Sequence, residues 1–303
     1  MQPDSVSSTA RLIARAMILN EHEADTKQLV GSEVSNLSQA FLSDLSWADR
    51  NFSSLVKVPG FPNLLFALER FIKPGLSAHY ALRKQYIESL VLERLDRCEY
   101  HQVVILGCGF DTLALRIHNR YPNVRFFEID SAALIARKRA VTTNSRSQHQ
   151  NVHFIDLDSN GSIHSMLNKA SAFEHSVPTL FVIEGVLMYL QHDEVSKLFH
   201  ELGTCGSEVG VIFTFLQPIG AYAQEERPRA EKMADRWLAH KGEPYRWSVT
   251  PSDLQALCET VGLRLGTIVC PRDRLSDLGV KLSNRRGKVL PRDEFVADAR
   301  FNR

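Results

Sequence analysis

The stretch Val103-Val-Ile-Leu-Gly-Cys-Gly-Phe-Asp-Thr-Leu-Ala-Leu-Arg116 decides the fold of this chain. Four apolar residues run directly into Gly107 and Gly109, and a segment with helical apolar spacing follows. This order predicts a strand, a tight turn and the start of a helix. Glycine permits positive φ and a close approach to the main chain, while the helix start offers free N–H groups and a partial positive charge. The turn therefore predicts a site for a polar, electron-rich ligand.

Beyond Tyr100, short apolar runs alternate with amphipathic segments. This alternation is typical of βαβ units and predicts an α/β fold with a mostly parallel sheet. The predicted strands cover residues 103–106, 124–129, 152–155, 179–183, 209–215 and 263–269, with a weaker one at 288–295. The predicted helices between them cover residues 113–121, 132–142, 162–173, 193–202 and 252–261.

The first hundred residues are predicted to be rich in helix. Helices are expected over residues 8–29, 64–72 and 77–95, with short irregular pieces over 31–63. We therefore predict an α-helical N-terminal cap over residues 1–98 and a Rossmann-like domain over 99–303.

A polar, charged segment at about 217–250 interrupts the alternation after the fifth strand. It predicts an insertion with a helix over 229–240. Ligands of open α/β sheets bind beyond the carboxyl ends of the strands, so this insertion is either a lid or a solvated surface helix.

Composition excludes several classes of protein. The 303 residues are 44% hydrophobic and 23% charged, as in globular domains, and their formal net charge of +1 gives no basic field to attract nucleic acid or an anionic membrane. The five cysteines form no C-x-x-C pair, which indicates reduced thiols rather than a disulfide framework or a metal site. We expect a soluble cytoplasmic protein without a targeting or membrane segment, and the oligomeric state stays open.

The glycine turn does not match the common phosphate-binding motifs. A dinucleotide fingerprint needs a third glycine where this chain has Thr112, and no Gly-Lys-Ser/Thr is present. A bound pyrophosphate is therefore disfavoured.

Acidic residues follow three successive predicted strands. Glu128 and Asp130 end the second strand on the same face, and Asp130 lies 21 positions after the second glycine, where a carboxylate can bind ribose hydroxyls. The alternative role of Asp130 is to cap the next helix. Asp156 and Asp158 follow the third strand, and Glu184 follows the fourth. This ring of acceptors suits a ligand with hydroxyls, an adenine amino group and a cation, such as S-adenosylmethionine.

Several of these segments resemble the leucine carboxyl methyltransferase family, which includes bacterial O-methyltransferases associated with polyketide biosynthesis. The resemblance implies a class I methyltransferase fold, in which a mostly parallel seven-stranded sheet carries an N-terminal α-helical cap. The resembling segments, within residues 75–265, are Leu106-Gly-Cys-Gly-Phe-Asp-Thr112, Phe126-Phe-Glu-Ile-Asp130, Leu180-Phe-Val-Ile-Glu-Gly-Val-Leu-Met-Tyr-Leu190, Ala81-Leu-Arg-Lys-Gln-Tyr-Ile-Glu88 and Gly242-Glu-Pro-Tyr-Arg-Trp247.

The resemblance also implies the cofactor, S-adenosylmethionine, with S-adenosylhomocysteine as product. An arginine fork suits a carboxylate, although Arg83 alone would be read as a surface helix residue. The implied cofactor-binding residues are Arg83 at the methionyl carboxylate, Gly107 and Gly109 at the turn, Asp130 at the ribose, Asp156 and Leu157 at the adenine, and Glu184 near the methionyl amino group.

The predicted reaction is O-methylation of a carboxyl or hydroxyl group on a small, polyketide-like metabolite. A carboxylate acceptor is ionised at neutral pH, whereas a phenol or alcohol would need a general base, and no base stands out. Arg246 is the residue that we expect to orient an acidic acceptor. The acceptor-side candidates are Tyr189, Tyr222 and Arg246, with His79, Tyr80 and Trp247 behind them.

Three alternatives stay open. The acceptor could be the C-terminal carboxylate of a protein, as in the other branch of the resembling family. A nicotinamide-dependent oxidoreductase would share the strand and helix pattern, but Thr112 argues against it. A non-catalytic module could retain the nucleoside pocket alone.

Overall fold

A computed structural model describes residues 6–143, 149–158, 161–218, 242–278, 282 and 290–302. Its strands form one seven-stranded sheet in the order β3-β2-β1-β4-β5-β7-β6. The strands β1 to β5 are parallel, and β7 runs antiparallel to both of its neighbours. The predicted fold class is confirmed. The strands are β1 (Gln102–Leu106), β2 (Arg125–Asp130), β3 (Val152–Asp156), β4 (Thr179–Ile183), β5 (Val209–Leu216), β6 (Leu263–Val269) and β7 (Glu294–Phe301).

Helices precede the sheet and connect its strands. The first six are α1 (Ser8–Glu21), α2 (Ser32–Leu42), α3 (Trp47–Arg50), α4 (Phe52–Leu55), α5 (Phe61–Ile72) and α6 (Leu76–Asp96). The others are α7 (Leu113–Ile117), α8 (Ala132–Thr143), α9 (Ile163–Lys169), α10 (His192–Leu202) and α11 (Pro251–Thr260). None of the helices in the described part of the chain is long and apolar enough to cross a membrane.

Helices cover both faces of the sheet, which is why β1 and β4 are buried along their whole length. Neighbouring residues of a strand point to opposite faces, so Phe126 joins the core on one side and Phe127 the core on the other. The core on the Phe126 side includes residues of α1 and α6, such as Ile18 and Val91. The N-terminal helices thus share a hydrophobic core with the sheet, while the division at residues 98 and 99 stays a prediction.

Several predicted boundaries were wrong. The first helix ends at Glu21 rather than at residue 29, because its apolar spacing stops at Leu19 and a polar turn follows. The segment 31–63, predicted to be irregular, contains α2, α3 and α4. The last strand begins at Glu294 rather than at 288, after Pro291, which has no N–H to donate to a ladder.

Two further helices are shorter than predicted. The helix after the glycine turn ends at Ile117, and α9 ends at Lys169 because Ala170 is extended. The predicted insertion and its helix over 229–240 lie mostly outside the described residues, since residues 219–241 are not among them.

Candidate functional site

The carboxyl ends of three central strands bring the predicted residues together. In the sheet register, Leu106 of β1 pairs with Ile129 of β2, and Ile105 pairs with Val182 of β4. The glycine turn, Asp130 and Glu184 therefore emerge side by side at one edge of the sheet, as expected for a site in an open α/β fold.

The glycine turn has the backbone conformation that its sequence predicts. Gly107 has a φ of +67° and Gly109 a φ of +50°, and the Gly107 N–H donates to the Ile129 carbonyl at 2.8 Å. A Cβ on Gly107 would lie 2.4 Å from Cγ2 of Val186. Glycine is therefore required at position 107 both by the backbone angle and by the neighbour.

Asp130 anchors this turn to β2. Its Oδ2 accepts a hydrogen bond from the Gly109 N–H at 2.7 Å, and its Oδ1 accepts one from the Ser131 N–H at 2.6 Å. Burial raises the pKa of the Asp130 carboxyl above its usual value, more than these two hydrogen bonds lower it. Each carboxylate oxygen keeps a second lone pair, so a ribose hydroxyl could still donate to it.

Asp156 and Leu157 lie at the end of the neighbouring strand. Asp156 pairs with Asp130 in the register, and the Leu157 N–H donates to the Asp130 carbonyl at 2.7 Å. The Leu157 side chain is 43% exposed, and the exposed Asp156 carboxylate lies 3.3 Å from Arg139. An exposed leucine next to a carboxylate at this edge is compatible with the predicted adenine contact.

Arg83 reaches the same edge from α6 and is held by two glutamates. Its Nε and Nη2 each lie 2.8 Å from Oε1 of Glu184. Its Nη1 donates to both carboxylate oxygens of Glu294, at 2.6 and 2.8 Å. Burial opposes the charged form, but the two carboxylates outweigh it and raise the pKa of Arg83. Arg83 is buried, so the surface-helix interpretation is wrong for it.

Lys84 extends these contacts to the glycine turn. Its Nζ lies 2.5 Å from Oδ2 of Asp111 and 3.0 Å from Oε2 of Glu184. Burial would raise the pKa of the Asp111 carboxyl, but the charges of Lys84 and Lys138, together with hydrogen bonds from Lys84 and the Leu113 N–H, outweigh burial and lower it. We call the six connected side chains the ionic chain: His79, Glu294, Arg83, Glu184, Lys84 and Asp111.

The ionic chain fits the amino-acid end of the implied cofactor. Among the described residues, Nη2 of Arg83 contacts only Oε1 of Glu184, so at least one of its two N–H groups is available to a ligand. Nη2 lies 3.6 Å from the position that a Cβ on Gly185 would take, and the missing side chain leaves that approach open. The ionic chain contains three carboxylates besides Arg83 and Lys84, so it offers partners for both the ammonium and the carboxylate of a ligand.

Three tyrosines, Tyr80, Tyr189 and Tyr245, lie close to one another near Arg83. The rings of Tyr189 and Tyr245 lie 5.7 Å apart, and the Arg83 guanidinium lies 5.0 Å from the centre of the Tyr80 ring. The Tyr189 hydroxyl lies 3.3 Å from the hydroxyl of Thr9 in α1. Burial raises the pKa of Tyr189 to about 12, so its hydroxyl is neutral at physiological pH.

The other acceptor-side candidates have different surroundings. The Arg246 side chain is exposed, and its backbone N–H donates to the Met188 carbonyl at 2.8 Å. Trp247 is buried and donates from Nε1 to Nδ1 of His192 at 3.3 Å. Buried His79 contacts Glu294, and Tyr222 lies outside the described residues.

Sequence reasoning missed three residues of this region. Lys84 directly follows Arg83 in the family-like segment 81–88, and this position could have marked it as a residue of the site. Tyr245 lies within the quoted segment that ends at Trp247. Glu294 lies in the last strand, where no motif marks it.

The family model described as leucine carboxyl methyltransferase matches residues 46–203, just over half of the chain. The chain belongs to the leucine carboxyl methyltransferase family. The family resemblance drawn from the glycine turn and the run through Glu184 is therefore confirmed. S-adenosylmethionine, the cofactor that the resemblance implied, is confirmed with it.

Individual relatives of the leucine carboxyl methyltransferase family are distant. A candidate S-adenosyl-L-methionine-dependent methyltransferase of Frankia alni is 28% identical over 195 residues, covering 60% of this chain and 63% of that protein. Leucine carboxyl methyltransferase 1 of Caenorhabditis elegans is 28% identical over 155 residues, covering 43% of this chain and 46% of that protein. The match thus spans 63% of the length of the first of these curated relatives and 46% of the second.

A solved structure supports the class I fold of this family member. The crystal structure of a candidate methyltransferase from Thermobifida fusca superposes with a TM-score of 0.54 at 16% sequence identity. The superposition covers 88% of this chain and 94% of the Thermobifida fusca chain. At this identity the likeness concerns the fold alone.

Proposed function

We propose that the chain is an S-adenosylmethionine-dependent O-methyltransferase. The observation that carries this proposal is the placement of Arg83, whose Nη2 lies beside Gly185 at the same edge of the sheet as the glycine turn and Asp130. Family membership supports the same cofactor. The bound cofactor would supply an electrophilic methyl group on its sulfonium.

Each predicted cofactor residue has a role in this proposal. Asp130 would accept hydrogen bonds from the ribose, and Leu157 with Asp156 would contact the adenine. Arg83 would bind the methionyl carboxylate, while Glu184 would attract the amino group. Because Glu184 accepts hydrogen bonds from both Arg83 and Lys84, its carboxylate is fixed in orientation.

The acceptor side favours a carboxylate as the methyl acceptor. Tyr189 is neutral, and burial likewise raises the pKa of Tyr80, so these hydroxyls can donate hydrogen bonds but do not serve as bases at neutral pH. A carboxylate needs no base, since it is already ionised. Methyl transfer to the carboxylate would depend on alignment of its oxygen with the bond between sulfur and the methyl group, and on exclusion of water.

The acceptor that we propose is a carboxylate, and two candidates carry one: first a small metabolite, as the sequence predicts, and second the C-terminus of a protein. The family description and the likeness to leucine carboxyl methyltransferase 1 favour the second candidate. Purified enzyme, radiolabelled S-adenosylmethionine and a lysate separated into protein and small-molecule fractions would distinguish the two. Label in the small-molecule fraction supports the first, and label on a protein supports the second.

The chemistry of the product tests the reaction class. Mild alkali hydrolyses a methyl ester and releases volatile labelled methanol, whereas a methyl ether retains its label. Release of methanol is the expected result. Binding of NADH without binding of S-adenosylhomocysteine would instead support the oxidoreductase alternative, and cofactor binding without turnover of any acceptor would support a non-catalytic module.

A further inference from the structure

Glu294 and His79 form an arrangement around Arg83 that the proposed function leaves unexplained. Glu294 is the first residue of β7, far along the sequence from the segments that resemble the family, and only 5% of it is exposed. Its carboxylate accepts from Nη1 of Arg83 with both oxygens, and its Oε2 also lies 2.8 Å from Nε2 of His79. His79 is 1% exposed, and its Nδ1 has no hydrogen-bond partner among the described residues.

We propose that Glu294 and His79 are positioning residues that orient Arg83 toward the carboxylate of the cofactor. The inference rests on the proposed function and deepens it by assigning the outer layer of the amino-acid subsite. Neither residue would contact the cofactor. Each would act through the orientation of the Arg83 guanidinium.

The geometry of the guanidinium supports this assignment. Glu184 holds the Nε edge and Glu294 holds Nη1, so the plane of the group is fixed from two sides. Nη2, which keeps an available N–H, lies next to the space left by the missing side chain of Gly185. Without Glu294, Nη1 would have no hydrogen-bond partner among the described residues, and only Glu184 and the face of the Tyr80 ring would hold the guanidinium.

His79 fixes Glu294 in turn. A carboxylate accepts and does not donate, so Nε2 of His79 carries the hydrogen of this contact. The side chain of Glu294 is thereby held at both ends of its carboxylate, by Arg83 and by His79.

The decisive experiment compares two probes by calorimetry. S-adenosylhomocysteine carries the amino-acid end, whereas methylthioadenosine has the same nucleoside without it. In Glu294→Gln, one carboxylate oxygen becomes an amide NH2 group. This group cannot accept a hydrogen bond and would face an N–H of Arg83 or His79. We expect the Kd of S-adenosylhomocysteine to rise about tenfold or more, and the Kd of methylthioadenosine to change less than about twofold.

A second carboxylate on the same strand provides the matched control. Asp298 of β7 is also buried and lies 2.5 Å from Arg94, which like Arg83 is in α6. Asp298→Asn removes a comparable ion pair away from the site. It should lower the melting temperature without changing the Kd ratio of the two probes.

Conservative replacement of His79 tests the outer residue. A glutamine amide can place an N–H near the position of Nε2, so His79→Gln should keep S-adenosylhomocysteine binding within about twofold of the wild-type protein. His79→Leu leaves Glu294 without this donor and should weaken binding of S-adenosylhomocysteine selectively. This pair keeps the test available if Glu294→Gln does not fold.

Three results would overturn the inference. Equal weakening of both probes in Glu294→Gln would show a structural role only. Tighter binding of S-adenosylhomocysteine would show that Glu294 competes with the cofactor for Arg83. An unchanged ratio in both Glu294→Gln and His79→Leu would remove any role in this subsite. If the wild-type protein binds neither probe, the proposed function fails, and this inference falls with it.

Discussion

The ammonium of Lys138 lies 2.8 Å from the carboxylate of Glu128, and both side chains are fully buried. Nζ of Lys138 also donates to the Asp111 carbonyl at 2.7 Å and lies 5.5 Å from the centre of the Phe41 ring. Burial raises the pKa of the Glu128 carboxyl, and the Lys138 charge only partly opposes this. The lysine thus joins α8 to β2 and to the glycine turn, and neither partner has access to water.

Lys138→Met is expected to lower the free energy of unfolding by about 3–5 kcal/mol, because it leaves Glu128 buried without its counter-charge. The double variant Lys138→Met/Glu128→Leu should lose clearly less, since it buries no lone carboxylate. Urea unfolding of the two variants measures the difference. Arg139→Met is the control, because its ion pair with Asp156 is about half exposed and should contribute less than about 1 kcal/mol. Equal losses in the single and double variants would contradict this account of the ion pair.

Gly107→Ala is expected to destabilise the glycine turn. The new Cβ would lie 2.4 Å from Cγ2 of Val186, and the φ of +67° adds about 1–2 kcal/mol of strain. Adding Val186→Ala removes the clash but not the backbone strain, so the double variant should recover part of the lost stability. Gly31→Ala is a suitable control, since no atom lies within 4 Å of its Cβ position and its φ is −66°. Denaturant unfolding gives the free energy of unfolding of the wild-type protein and the three variants. An unchanged free energy of unfolding in Gly107→Ala would contradict the geometry of the turn.

The sequence predicts those parts of the fold and site that depend on neighbouring residues. The strand, glycine turn and helix start at 103–116 are local, and so is the placement of Glu128 and Asp130 on one face of β2. The partners of these acids are not local. Glu128 forms an ion pair with Lys138, whereas Asp130 accepts a hydrogen bond from the glycine turn. The sequence of the strand alone does not predict which of the two acids takes which role.

Glu294 shows why the rest of the site escaped prediction. It meets Arg83 across 211 positions of sequence, and only the antiparallel pairing of β7 with β5 and β6 brings it there. A glutamate at the start of a strand resembles any solvated residue until that pairing is known. The buried ends of Arg83 and Lys84 could not be distinguished from surface charges for the same reason.

Asp130→Ala is expected to weaken S-adenosylhomocysteine binding by at least about tenfold, because it removes both the ribose acceptor and the anchor of the Gly109 N–H. Asp130→Asn keeps one carbonyl oxygen and should lose less. Calorimetry measures the affinities, and Asp158→Asn, an exposed acid after β3, is the control. An unchanged affinity in Asp130→Ala would mean that the cofactor site is wrongly placed.

The attachment of α1 to α3 should depend on pH through Asp49. Arg11 and Arg15 of α1 lie 2.5 and 2.6 Å from this fully buried carboxylate. Burial would raise the pKa of Asp49, but hydrogen bonds from Ser46, Arg15 and Arg11 outweigh burial and lower it. The pKa of the Asp49 carboxyl is thus lower in the folded protein than in the unfolded chain, where it is about 3.9. The ionised carboxylate stabilises the folded protein fully above about pH 3.9, and this stabilisation is lost as pH falls through the folded-state pKa.

Asp49→Asn should therefore cost about 1.5–3 kcal/mol at pH 7, and its difference from the wild-type protein should shrink below about pH 4. Urea unfolding across that range measures this convergence, with Asp44→Asn as the exposed control, whose carboxylate lies 3.7 Å from Arg137. Parallel curves for Asp49→Asn and the wild-type protein down to low pH would show that Asp49 does not hold α1 by its charge.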